Sequence, residues 1–147
     1  MRRWSIPGGL ALFAVTLGCH REPEMLPLIE RTIYTTDRFY DVQALSADRA
    51  FVVGYAGKIL ETADGGRTWD VRPSGVDTAL YAVDFTDDRH GWIAGQEGVI
   101  LHTADGGKTW QPQESNAYID EGSGKQPLYL FALDALDNDH AWAVGDR

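Results

Sequence analysis

Cysteine is almost absent. Cys19 is the only one in 147 residues, which excludes an intramolecular disulfide framework and any multi-cysteine metal site. Basic residues are also scarce: 13 Lys and Arg stand against 22 Asp and Glu, a formal net charge of −9. A phosphate backbone is repelled by such a surface, so no nucleic-acid partner is expected. There is no apolar run long enough to span a bilayer, which takes about 20 residues of helix. Helical periodicity is missing after residue 29, so the body of the chain is not built from amphipathic helices. Disorder throughout is excluded by 44% apolar and 11% aromatic residues.

The N-terminus has the make-up of an address. Arg2-Arg3 precede the short apolar stretch Leu10–Leu17, then Gly18-Cys19 and the polar His20-Arg21-Glu22. That order is a positive region, a hydrophobic core and a processing site. Residues 1–18 therefore read as a signal peptide and residues 19–29 as a tether with two prolines. Thr16-Leu17-Gly18-Cys19 resembles a bacterial lipobox, which implies lipidation of Cys19 and export to the periplasmic or extracellular face of a membrane. Plain secretion and twin-arginine export are the alternatives.

The body repeats itself. Thr62-Ala-Asp-Gly-Gly-Arg-Thr-Trp69 recurs as Thr103-Ala-Asp-Gly-Gly-Lys-Thr-Trp110, an offset of 41. The same offset carries Tyr40 to Tyr81, Val42 to Val83, Phe51 to Trp92, Gly54 to Gly95 and Ile59 to Ile100. A third copy starts near Leu128, where Phe131-Ala-Leu-Asp134 answers Tyr81-Ala-Val-Asp84 and His140-Ala-Trp142 answers His90-Gly-Trp92. Each unit reads as short strands separated by turns, as in Tyr81–Phe85, Gly91–Ala94, Val99–Thr103 and a strand opening at Thr109. A four-stranded unit of this size matches a propeller blade.

The expected fold is all-β, a partial β-propeller of about three antiparallel blades over residues 30–147. Two blades are complete (39–73 and 79–114) and one is truncated (128–147). A closed ring takes about 4–8 blades, so an arc with exposed end faces is expected, as a fragment or as part of an oligomer. Glu30–Tyr34 is expected to form an outer strand.

In the recurring hairpin, Asp64, Gly65, Gly66, Thr68 and Trp69 match Asp105, Gly106, Gly107, Thr109 and Trp110. The glycines supply backbone angles open to few other residues. The aspartate accepts turn N–H groups, the threonine joins that network, and the tryptophan wedges between sheets. A residue that recurs in every blade is expected to hold architecture, so no catalytic residue is assigned, and no metal or cofactor. Asp84 and Asp134, with Gln43 at the matching place, are read as satisfying backbone groups or lining a channel mouth. His90 and His140 are read as turn residues, and His102, where Glu61 stands in the other repeat, as an outward polar position. The inserted polar loop Gln111–Pro127, with Tyr118, Ile119, Asp120 and Glu121 at its centre, is the candidate binding loop against a reading as an idle disordered insertion.

The hairpin resembles the Asp-box, or BNR, repeat. The longer pattern Gly91-Trp-Ile-Ala-Gly95 to Asp105-Gly-Gly-Lys-Thr-Trp110 is similar to the photosystem II stability/assembly factor-like propeller family, over roughly residues 30–147. That resemblance implies a non-catalytic scaffold with a protein partner, a membrane protein or complex. Basic surface patches associated with plant and cyanobacterial members have no counterpart in this acidic composition. Asp-box propellers also include sialidase-like glycoside hydrolases and carbohydrate binders, so a fragment of one is the alternative. The chain lacks the Arg-Ile-Pro motif of sialidases.

Overall fold

The computed structural model describes residues 37–120, 122 and 124–146. All of them lie in one compact unit, Thr32–Arg147; the other unit is Met1–Arg31. The signal peptide, Cys19, the tether, the Glu30–Tyr34 strand and Glu121 fall outside the described residues.

The first repeat folds into β1 (Phe39–Ala44), β2 (Ala50–Gly54), β3 (Ile59–Thr62) and β4 (Asp70–Arg72), paired in that order and antiparallel throughout. The second gives β5 (Leu80–Phe85), β6 (Gly91–Gly95), β7 (Ile100–Thr103) and β8 (Gln111–Gln113) in the same order. The third contributes β11 (Tyr129–Ala135) and β12 (Ala141–Asp146) as a two-stranded sheet. Together these unclosed sheets form a partial β-propeller. Each first strand carries a register shift near its start, at Phe39/Asp41, Leu80/Ala82 and Leu130/Ala132. A bulge there sharpens the local twist, and its recurrence marks the three strands as equivalent.

Fourth strands begin later than the sequence suggests. Thr109 and Trp110 are held by the Asp-box turn, so β8 opens at Gln111. The inserted stretch also differs from its reading as a loop. Tyr118–Asp120 (β9) pairs with Lys125–Pro127 (β10) as a small antiparallel ladder. Its turn is permitted by Gly122 and Gly124 at φ 81° and 125°, and the Asp120 carboxylate accepts the Gly122 N–H at 3.0 Å. Asp120 and Lys125 face each other in register, a favourable pairing of opposite charge.

The core lies between the first two sheets. Phe51, Val53 and Ile59 of the first meet Val83, Phe85, Ile93, Leu101 and Trp110 of the second. Phe51 stacks on Phe85 with centroids 4.7 Å apart, and Trp110 meets both rings edge-on at 6.4 and 5.8 Å. Each such aromatic side chain contributes about 1.5–3 kcal/mol on burial. Carboxylates on the first strands stitch neighbouring sheets: Asp41 accepts the Val83 N–H at 2.8 Å and Asp84 accepts the Ala135 N–H at 2.7 Å. Gln43 donates to Asp84 at 2.9 Å. Asp84 thus satisfies a backbone group, whereas Asp134 is exposed.

Candidate functional site

The turns divide between two ends of the strands. At one end sit the Asp-box hairpins, whose Gly65 and Gly106 N–H groups donate to the Asp48 and Arg89 carbonyls. At the other end the starts of β1 and β5 meet the turns Tyr55–Gly57 and Gln96–Gly98, through bonds from Tyr55 to Arg38 and from Gln96 to Ala79. Ser115 donates to the Gly98 carbonyl and Leu128 to that of Ala117, so the β9–β10 hairpin roots at this second end.

Both Asp-boxes use one bonding scheme. Asp64 accepts the Thr68 N–H at 2.8 Å and its hydroxyl at 2.7 Å; Asp105 does the same with Thr109 at 2.9 and 2.7 Å. The glycine N–H is taken instead by the leading threonine. Thr62 accepts from Gly66 at 2.8 Å, and Thr103 accepts from Gly107 at 2.9 Å, while each hydroxyl donates to its aspartate. Thr62 and Thr103 are buried hubs that the sequence reading passed over in favour of the aspartates. Gly107 has no room for a side chain, because a Cβ there would lie 2.6 Å from the Phe51 ring. Trp110 is buried in the seam, and its equivalent Trp69 is half-buried.

These bonds set the carboxyl acidities. The Thr68 backbone N–H, then its hydroxyl, hold Asp64 down to about 2 from the ordinary 3.8; the Thr109 N–H does the same for Asp105. Asp87 is held to about 2 chiefly by His90. A carboxylate whose folded pKa is depressed stabilises above its unfolded value, and that stability is lost as pH falls toward the folded value. Thermal stability followed by circular dichroism is therefore expected to drop between about pH 4 and pH 2. The double variant Asp64→Asn, Asp105→Asn should show a shallower drop across that window, with the remainder set by Asp87 and by Asp137, whose acidity the Asp139 N–H and His140 also raise. An unchanged slope would show that these bonds contribute nothing to folding.

The position shared by His102 and Glu61 is not the outward one expected: His102 is half-buried and Glu61 buried. Glu61 pairs with Arg49 at 2.9 Å and Arg72 at 2.7 Å. Arg49 reaches on into the second repeat, donating to the Asp88 carbonyl at 2.9 Å and the Gly106 carbonyl at 2.6 Å. One guanidinium thus fastens the first sheet to the second Asp-box. At the matching places of the second repeat stand His90 and His102. His102 is half-buried 4.3 Å from the Trp92 ring, and burial first, then His90, lowers its pKa. His90 and His140 sit beside Asp87 and Asp137 in their turns. Among the described residues no group of three or more His, Cys, Asp or Glu is placed to hold a metal ion.

The second end carries a row of aromatic rings, two of them exposed. Tyr40, Tyr81 and Phe131 come from the equivalent strands β1, β5 and β11, with centroids 5.1 and 5.2 Å apart, and Tyr129 lies 6.3 Å from Phe131. Tyr40 is 44% and Phe131 50% exposed. Burial pushes the Tyr81 phenol up, and the phenols of Tyr40 and Tyr129 add to this. The offset of 41 that pairs Tyr40 with Tyr81 was the available signal; that the rings touch across blades was not in it. Tyr118 and Ile119 sit on the hairpin, with the Lys125 ammonium 3.8 Å from the Tyr118 ring. The same chain also has an apolar cleft of about 720 Å³ beside β12, lined by Trp92, Ile100, Leu133 and Trp142 among others.

Four-stranded antiparallel repeats, joined face to face and pinned by Asp-box hairpins, define a BNR-type β-propeller. The chain belongs to the family described as photosynthesis system II assembly factor YCF48, which it matches over residues 25–117 and 73–147. Among solved structures it is similar to YCF48 bound to a D1 peptide, at 29% identity and a TM-score of 0.60, covering 74% of this chain and 34% of that one. It is also similar to YCF48 from Cyanidioschyzon merolae, at 27% identity and a TM-score of 0.57, again covering 74% and 34%. The chain spans about a third of the length of these structures. No curated protein matches it.

Proposed function

We propose that the protein is a non-catalytic scaffold that binds a protein partner, a membrane protein or complex, while a lipid on Cys19 holds it at the outer face of a bacterial membrane. The observation that carries this reading is how the repeated carboxylates are used. Asp64 and Asp105 spend both oxygens on threonine bonds within their own turns, so neither is free for acid–base work. Glycoside hydrolysis needs two carboxylates facing one bond, and Glu61, the buried carboxylate of the seam, is neutralised by two arginines. The family is one of assembly factors, and a relative of 29% identity is known bound to a peptide. Both support a surface that recognises protein.

Lipidation adds about 0.8 kcal/mol of membrane affinity per buried methylene. The Cys19→Ser variant is therefore expected to leave the detergent-rich phase and the membrane fraction, where the wild type remains. A variant that partitions like the wild type would overturn the anchor. Turnover of fluorogenic glycosides by the purified chain would overturn the scaffold.

A further inference from the structure

We infer that the aromatic row at the second end is the binding surface and that its occupant is an extended, basic peptide segment. The inference deepens the scaffold reading and rests on it. Three rings from three successive blades form the row, and two of them are substantially exposed. Large apolar groups left in the open on a rigid frame mark an interaction surface. The rings meet edge-on or tilted, at 68° and 48°, so they offer separate faces and edges to side chains along a strand, not one flat platform for a sugar.

Charge then selects the occupant. On the turns and linkers of the same end, Asp77, Glu97 and Glu114 are exposed and enter no ion pair with the described residues. The cations there are mostly engaged: Lys58 is paired with Asp37, Arg72 with Glu61, and Lys125 lies over Tyr118. Among the described residues Arg38 is the cation of this end left without such a partner. Aromatic faces that share one end of the fold with free carboxylates attract Lys and Arg side chains, whose stems pack on rings while their heads meet acids. The molecule makes that contact twice within itself, at Lys125 on Tyr118 and at Arg49, 5.1 Å from the Phe51 centroid.

The test is fluorescence anisotropy of the full chain in detergent with two labelled peptides, one alternating lysine and leucine, the other glutamate and leucine. The lysine peptide should bind and weaken with salt, as exposed charge pairs do. The glutamate peptide should not bind. Tyr40→Ala with Phe131→Ala should weaken the lysine peptide by about tenfold, two ring contacts being removed. Glu97→Lys, on an exposed turn, should weaken it without touching the core. Wild-type affinity in either variant, binding of both peptides alike, or no binding at all overturns the proposal. Photo-cross-linking from Phe131→benzoylphenylalanine in host membranes separates the two readings. A membrane-protein adduct without lysine-peptide binding overturns the basic chemistry and leaves the scaffold standing.

Discussion

Trp110→Ala is expected to lower stability by about 3–5 kcal/mol, the range for emptying a packed aromatic site. Three rings meet there, Phe51 and Phe85 stacked and Trp110 edge-on to both. Each is buried, so the hole left by the indole is lined by atoms that cannot collapse without unstacking the pair. Trp69→Ala is the internal control. It removes the same residue from the same turn, yet Trp69 is only half-buried, so its loss should be about half as large or less. Trp110→Phe should be much milder than Trp110→Ala, because the indole nitrogen is buried without a hydrogen-bond partner and its removal leaves nothing unsatisfied. Urea denaturation of the three variants against wild type measures all of this. Equal losses at Trp69 and Trp110 would show that the tryptophan works within its own turn instead of between sheets.

Glu61→Ala is the second large effect, expected at about 2–3 kcal/mol. Breaking a buried ion pair from one side costs about 3–5 kcal/mol, and the figure is reduced here because Arg49 and Arg72 are 25% and 34% exposed and recover some hydration. Without the carboxylate, two guanidiniums remain side by side in the seam. Arg49 still has two carbonyls of the second repeat to bond, so most of the loss should come from repulsion and from unpaired charge. Arg72→Ala, which removes the more exposed partner and leaves the Arg49–Glu61 pair, should cost about 1 kcal/mol or less. The same denaturation series checks the order. If Arg72→Ala proved as costly as Glu61→Ala, the seam would depend on the outer arginine and not on the buried carboxylate.

The strands and the Asp-box hairpins were legible in the residue order because their causes are local. Alternating branched and aromatic residues suit a pleated, half-buried strand, and a glycine pair after an aspartate suits one kind of turn. Repetition at 41 residues multiplied that signal. The hairpin Tyr118–Pro127 escaped the same reasoning. Its strands are three residues each, and a ladder that short is specified by where its ends are rooted, here by Ser115 and Leu128, more than by its own pattern.

By itself, the order of residues determined that this protein is a stack of like antiparallel sheets, and it determined which residues tighten each hairpin, since both depend on neighbours a few positions away. Only the tertiary structure decided which polar side chains turn inward and which aromatic ones stay out. Glu61 could be placed in the seam only once Arg49 and Arg72 were seen to flank it, and Tyr40, Tyr81 and Phe131 became one surface only when three first strands lay side by side. The reason is physical: burial and charge pairing are set by what lies across a gap between sheets, and residues facing one another there are dozens of positions apart in the chain.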